Sequence, residues 1–441
     1  MTDLLAARSQ MAMSLGFHII FAMVGMAMPL LMLMAERRWH RTGDPVYYTL
    51  ARRWAKGTAL MFAVGAVSGT VLSFELGLLW PGFTEFAGPV IGMPFSLEGL
   101  AFFLEAIFLG VYIYGWDRVG RRAHFFSGVM VLICGVLSGA FVVCANAWMN
   151  TPTGFELVDG KVVDVDIVAA MFNPAAAAQV IHMTLAAFVS VGFLVAGVHA
   201  YMLLKNPNHR FHRQAFKIAL IVGCGMIFPQ LISGDYAAKT VAKTQPIKLA
   251  AMEGEFETQR GAPLRIGGFP DEETMTTPYA IEIPGLLSFL AYGDFNAEVK
   301  GLKDFPRDEW PPVAVVHWAF QIMVMLGTAL VGLALLAMFL AWRKKTLPLQ
   351  PWFLKLVVMA APFGVIATLA GWTVTEVGRQ PWIVHGILRT RDAVTPMPGL
   401  VVPFIAFTLL YAFLSVIVLI LLKRLVFSTV DVPEPEVQDG A

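Results

Sequence analysis

Cysteine is scarce in this chain: three residues in 441, at Cys134, Cys144 and Cys224. They lie far apart in apolar runs and form no CxxC pair, which excludes a zinc ribbon, a cysteine-ligated iron–sulfur cluster and a dithiol redox site. They read instead as small buried hydrophobes. Charge is also scarce, at 14% of residues, whereas 57% are hydrophobic and the mean hydropathy is +0.67. This balance excludes a large soluble enzyme and places the chain among polytopic membrane proteins. A net charge of +1 gives no reason to expect nucleic acid as a partner.

Apolar runs of spanning length lie near 11–35, 55–80, 92–115, 124–148, 177–204, 216–234, 313–342, 352–372 and 398–423. They predict an all-α polytopic fold of about nine transmembrane helices. The first run is too long for a signal-peptide core and no small-residue cleavage site follows it, so it counts as a true span. Lys and Arg gather in every second loop: Arg37, Arg38, Arg41, Arg52, Arg53 and Lys56; Arg118, Arg121 and Arg122; residues 205–217; Arg343, Lys344 and Lys345; Lys423 and Arg424. Loops retained on the cytoplasmic side carry such excess. The N-terminus is therefore expected outside, in the periplasm, and the C-terminus in the cytoplasm. The intervening stretches 81–91 and 149–176 are almost free of positive charge.

The third run, "GMPFSLEGLAFFLEAIFLGVYIYG", carries Glu98 and Glu105. A carboxylate at the bilayer centre costs on the order of 2.5–3.5 kcal/mol on insertion scales, so two in one span call for a function. Seven residues make almost two helical turns, which sets both side chains on one face, roughly 10 Å apart along the axis. His18, His182 and Met323 occupy three other spans, with His317 a little before Met323. His, Met and Glu in separate helices, without a cysteine cluster, suit axial haem ligation between helices. The eighth span ends in "GWTVTEVGRQPW" (371–382), where Glu376 and Arg379 stand at i, i+3, able to pair with each other or with an anion, and Pro381 is expected to end the helix.

Between the sixth and seventh spans, residues 235–312 form a long mixed-charge stretch broken by Pro246, Pro263, Pro270, Pro278 and Pro284. Long connections are usually functional or disordered. Within it, "KLAAMEGEFETQ" (248–259) reads as a short helix carrying Lys248, Glu253 and Glu255 at the membrane surface. The tail from about 427 reads as disordered. Two other functions fit the same residue types. A proton-coupled transporter would also place Glu, His and Arg in its spans, although the repeat symmetry and broken central helices of transporters are not evident. A non-catalytic haem b electron-transfer subunit would need His182 and Met323 but not His18, Glu98 and Glu376.

From the first span to the ninth, the chain resembles subunit I of the cytochrome bd-type quinol oxidases. The resemblance rests on "EGLAFFLEA", "YGWDRVG", "ANAWMN", "KLAAMEGEFETQ", "GWTVTEVGRQPW" and the His-bearing first and fifth spans, in family order. It implies a terminal oxidase of the bacterial inner membrane, a ubiquinol:oxygen oxidoreductase by the family's usual name, that reduces O2 to water with cytoplasmic protons and builds a membrane potential without pumping. The residues themselves do not distinguish the quinone. By resemblance, His182 and Met323 match the axial ligands of a low-spin haem b. His18 and Glu376 match those of two high-spin haems, a haem b and a haem d, with the allocation between them open. Glu98 matches a carboxylate beside the oxygen-reducing haem, Glu105 a group on the proton route, Arg379 a residue of the haem environment, and Lys248 with Glu253 residues of the quinol-oxidising loop. Residues 1–234 would then hold six spans and haem ligands, 235–312 the periplasmic quinol loop, 313–426 spans seven to nine, and 427–441 a cytoplasmic tail. A second integral subunit is implied, and a small accessory subunit is compatible. Gln321 departs from the Arg of the better-known members, and the quinol loop is short. Both features look like the cyanide-insensitive branch, in which haem b can replace haem d.

Overall fold

A computed structural model describes residues 1–427; the expected disordered tail, past Phe427, lies outside the described residues. The helices in chain order are α1 (Asp3–Thr42), α2 (Pro45–Leu79), α3 (Pro81–Tyr114), α4 (Arg121–Asn150), α5 (Ile167–Met171), α6 (Ala176–Lys205), α7 (Arg210–Thr244), α8 (Pro246–Glu253), α9 (Leu286–Tyr292), α10 (Val313–Lys344), α11 (Pro351–Ala360), α12 (Phe363–Val377), α13 (Thr390–Ala393) and α14 (Val401–Phe427). Nine spans are long and apolar enough to cross a membrane among the described residues, with α11 and α12 together forming the eighth.

The spans outrun their apolar cores. Helix α3 already begins at Pro81, so residues 81–91 are helical rather than an open connection, and α7 continues to Thr244, ten residues past its apolar run. Hydropathy falls off beyond the hydrocarbon layer while helix propensity does not. In α7 half of the extension "DYAAKTVAKT" is Ala or Lys, strong helix formers, and Lys239 pairs with Asp235 at i, i+4 and 2.7 Å. Helix ends follow local chemistry too: Gly43 closes α1 in a left-handed turn at φ 69°, then the Asp44 carboxylate accepts from the Val46 amide at 3.0 Å ahead of Pro45. The eighth span breaks at Pro362 and ends at Val377, four residues before Pro381.

Helix α1 forms the axis, packing against α2, α4, α6 and α14, with 61% of its most apolar window buried. Helix α14 lies at the rim, with 11% buried. Helices α6 and α7 cross closely at Gly192, where a Cβ would fall 2.6 Å from the Gly223 amide nitrogen. One end of the bundle collects the basic loops. The opposite end carries the polar cap: an antiparallel pair β1 (Glu156–Val158) with β2 (Lys161–Val163), then β3 (Gln259–Arg260), β4 (Leu264–Gly267), β5 (Ala280–Ile283) and β6 (Glu298–Val299), and finally β7 (Trp382–Val384) with β8 (Leu388–Arg389). Strand β3 pairs with β6, and β4 with β5 in the register Leu264↔Ile283 to Gly267↔Ala280. Helix α8 sits beneath this cap with every residue from Ile247 to Glu253 buried, rather than lying on the surface.

Candidate functional site

Two half-buried histidines share one construction. His18 Nδ1 lies 3.0 Å from Ser68 Oγ, and that hydroxyl donates to the Gly65 carbonyl at 3.1 Å. His182 Nδ1 lies 3.0 Å from Ser233 Oγ, which donates to the Gln230 carbonyl at 2.8 Å. With its one proton directed to a carbonyl three residues back, each hydroxyl favours an imidazole that donates from Nδ1; at His182 the Gln230 amide nitrogen also lies 3.3 Å from both ring nitrogens. Its Nε2 then carries a lone pair. Metal-bound histidines are held this way, the second ring nitrogen fixing tautomer and orientation. At Gly69 a Cβ would come 3.0 Å from His18 Cε1, and at Gly234 a Cβ would come 3.4 Å from His182 Cε1. Small residues thus leave room for the rings.

Met323 on α10 turns toward α12, where a Cβ at Gly371 would sit 2.9 Å from its sulfur. His182 lies on α6. Helices α6, α7, α10 and α12 pack on one another, so both side chains belong to one four-helix group, a setting that suits a cofactor in a bundle core. Glu376, near the end of α12, accepts from Arg379 Nη2 at 2.6 Å and from the Asn146 side-chain amide. Arg379 is 2% exposed and its Nε and Nη1 are buried without partners. Each such orphaned donor costs about 1–3 kcal/mol, so an acceptor such as a haem carboxylate suits the spot. Among the described residues no group of three or more His, Cys, Asp or Glu side chains is arranged to hold a metal ion. Single ligands in separate helices fit haem, whose macrocycle supplies the other nitrogens.

Glu98 and Glu105 both face α4. The Ser138 hydroxyl reaches Glu98 at 3.5 Å, and a Cβ at Gly135 would stand 3.2 Å from a Glu105 oxygen. On its other side Glu105 meets Gly25 of α1. Sequence reasoning passed over Glu75, which is 3% exposed and bonded by Gln10 Nε2 and Ser14 Oγ at 2.9 Å each; its position in an apolar run was the available signal.

At the capped end, Lys248 Nζ donates to Asn150 Oδ1 at 2.6 Å and to the Thr375 carbonyl at 3.3 Å. The string "ANAWMN" thus joins two predicted positions, Asn146 holding Glu376 and Asn150 holding Lys248. Burial pulls the Lys248 ammonium down to about 7, with Arg379 adding to the effect and Glu376 opposing it. Glu253 sits five residues on, about 140° around α8, so it does not join that group. Burial pushes its carboxyl up to about 8 against the nearby Arg265, and its Oε2 has no partner. Arg265 also pairs with Glu255 at 2.7 Å. His385, absent from the sequence reading, follows β7; burial first, then Lys248 and Arg379, hold its imidazole down at about 4. Gln321 donates to the Arg265 carbonyl at 2.9 Å and accepts from the Gly267 amide at 3.1 Å, while His317 spans the Met252 and Gly267 carbonyls at 2.9 and 3.0 Å.

Histidines on separate spans, each with a serine at Nδ1, together with intramembrane carboxylates and a buried arginine lacking partners, are the features of a membrane-embedded haem oxidoreductase. The chain belongs to the cytochrome bd terminal oxidase subunit I family, which it matches over residues 6–430. It is 40% identical over 428 residues to a Bacillus subtilis (strain 168) protein named for a cytochrome bd menaquinol oxidase subunit I, covering 96% of both chains. It is 33% identical to subunit 1 of that organism's cytochrome bd ubiquinol oxidase, covering 96% of this chain and 93% of the relative, and 28% identical to subunit 1 of the Escherichia coli (strain K12) cytochrome bd-II ubiquinol oxidase, covering 88% of each. The structure of bd oxidase from Geobacillus thermodenitrificans superposes with a TM-score of 0.91 at 38% identity, covering 96% of this chain and 98% of that one. The protein is accordingly a multi-pass subunit of a quinol oxidase in the bacterial plasma membrane, and the transporter and electron-carrier alternatives are set aside. Its family works with a subunit II.

Proposed function

We propose that His182 and Met323 are the axial ligands of a low-spin haem b, and that His18 and Glu376 each hold one of two high-spin haems, a haem b and a haem d or second haem b. The carrying observation is the serine hydroxyl 3.0 Å from Nδ1 of each histidine, which favours the Nδ1–H tautomer and leaves Nε2 as the ligand atom; at His182 the Gln230 amide nitrogen, 3.3 Å from Nε2, would yield that lone pair to iron. Haem, when bound, supplies the iron and the one-electron chemistry. The chain's own residues orient it, exclude water and handle protons. Arg379, with two unpartnered guanidinium nitrogens, offers charge-assisted bonds to a carboxylate.

In this reading the basic loops face the cytoplasm and the polar cap faces outward. Lys248 and Glu253 attend a membrane quinol beneath the cap. The relatives are named for both menaquinol and ubiquinol, and oxygen-uptake rates with the two, side by side, decide between them. Glu253, its carboxyl near 8 and one oxygen free, takes a proton from the quinol and releases it outside. Glu105 and Glu98 pass protons from the inside toward the oxygen site. Electrons and protons then reach it from opposite faces, and each charge moved stores about 2.3 kcal/mol per 100 mV without a pump. The exposed flank of α14 is available to a second integral subunit.

The test is a dithionite-reduced-minus-oxidised visible spectrum with haem extraction, on wild type and His182→Ala. A low-spin haem b band that the variant loses, with any chlorin band surviving, supports the ligand assignment. Retention of the low-spin band in an assembled His182→Ala protein overturns it.

A further inference from the structure

A second set of buried polar side chains lies at the basic end, away from every group used above. Glu36 of α1 is 0% exposed and its Oε1 is shared by His124 Nδ1 of α4 at 2.8 Å and His40 Nε2 at 3.2 Å. His124 Nε2 meets the Tyr112 carbonyl at 2.9 Å. His40, with its side chain 21% exposed, marks the outer rim. Its ring stacks near Trp39 at 4.7 Å, and Arg121, the cation on this cluster, lies over Trp39 at 5.7 Å.

Three polar atoms here are buried without a partner: His40 Nδ1, Glu36 Oε2 and Tyr112 Oη. The Tyr112 hydroxyl faces the Glu36 carboxylate within the reach of a hydrogen bond, and no bond of regular geometry joins the two. A buried ion pair tying α1 to α4 would account for Glu36 and His124. It would not account for a phenol buried with its hydroxyl aimed at that carboxylate and joined to it by no regular bond, where phenylalanine would fill the same space without a polar atom to satisfy. Tyr112 follows Glu105 by seven residues on α3 and shares its face. Helix α4 backs both with glycines also seven apart: a Cβ at Gly128 would come 2.7 Å from the Tyr112 ring, and one at Gly135 would come 3.2 Å from a Glu105 oxygen.

We propose that His40, Glu36 and Tyr112 are the proton intake that feeds Glu105, with His124 holding Glu36 in place. The inference rests on the reading of Glu105 as a proton group and of the basic end as cytoplasmic. A proton from bulk water is taken up at the His40 ring and passes from Nε2 to Glu36 Oε1. The protonated carboxyl turns about its Cγ–Cδ bond and hands that proton to Tyr112 Oη, which gives up its own hydroxyl proton toward Glu105 and so returns to its starting state, while the carboxylate swings back to His124 and His40. One proton enters for each one delivered, and no electrons move. The remaining rise to Glu105, roughly 10 Å along the helix, is carried by water.

Tyr112→Phe in the assembled oxidase, reconstituted in liposomes, is the test, because it removes only an unpartnered oxygen. The intake role predicts normal haem content, normal quinol-driven haem reduction and unchanged or higher thermal stability. It also predicts proton uptake and oxygen turnover slowed by about tenfold or more, with an enlarged solvent isotope effect. Turnover within about twofold of wild type, at full haem content, overturns the proposal. Should Tyr112→Phe not assemble, Glu36→Gln decides by the same readouts. A wild-type enzyme without quinol-driven oxygen uptake would instead overturn the functional reading on which the inference rests.

Discussion

Glu253→Gln separates a proton acceptor from a mere packing residue. The side chain is 2% exposed on α8, and burial raises its carboxyl from 4.5 to about 8. At that value roughly one molecule in eleven carries the carboxylate at pH 7 and about half at pH 8, so quinol oxidation limited by this base should climb about fivefold across that interval. Glutamine keeps the shape and cannot titrate. The variant should lose on the order of 10²-fold or more in the quinol-dependent rate, and its pH profile should flatten between 7 and 8. Stability carries the opposite slope. Because the folded carboxyl binds its proton more tightly than the unfolded one, wild-type stability is lost as pH rises from about 4.5 through about 8. The glutamine variant should lack this loss. Stopped-flow reduction of the enzyme by quinol at several pH values, beside thermal unfolding at the same pH values, measures both. A variant that keeps the rising limb, or matches wild type at pH 8, would refute the assignment.

Ser68→Ala should free the His18 ring and weaken haem retention at that site by about 10–100-fold, read from haem stoichiometry after purification, while the band lost in His182→Ala stays. Gln321→Leu removes two bonds to the loop backbone, worth about 0.5–1.5 kcal/mol each, and should raise amide exchange and proteolysis across residues 254–285. Gly192→Ala thrusts a methyl into the Gly223 backbone; overpacking of about 1–3 kcal/mol should lower the unfolding temperature and the yield of assembled complex.

Spans and their order were legible because an unbroken run of about twenty apolar residues matches the thickness of the hydrocarbon layer. The separate placement of His18, His182, Met323 and Glu105 on α1, α6, α10 and α3 followed from them. Helix ends were not legible: α3 starts and α7 finishes in residues whose hydropathy resembles that of loops. Contacts across long separations were also hidden, as with Lys248 and Asn150, 98 residues apart. Glu36 escaped notice for a different reason. It adjoins Arg37 and Arg38 and reads as solvated, yet the helix turns it inward to zero exposure. Gln321 read only as a missing charge; its two bonds to the loop backbone emerge from the fold.

Those bonds have a mechanical consequence. His317, Gln321 and Met323 sit within two turns of α10: the first two grip the polar cap, and the third, in the proposed assignment, grips iron. In that assignment the rod that seats the electron donor also positions the acceptor. Because tunnelling falls steeply with distance, α10 acts as a gauge that keeps the gap constant, and a cap that shifted as a whole would drag the sulfur with it.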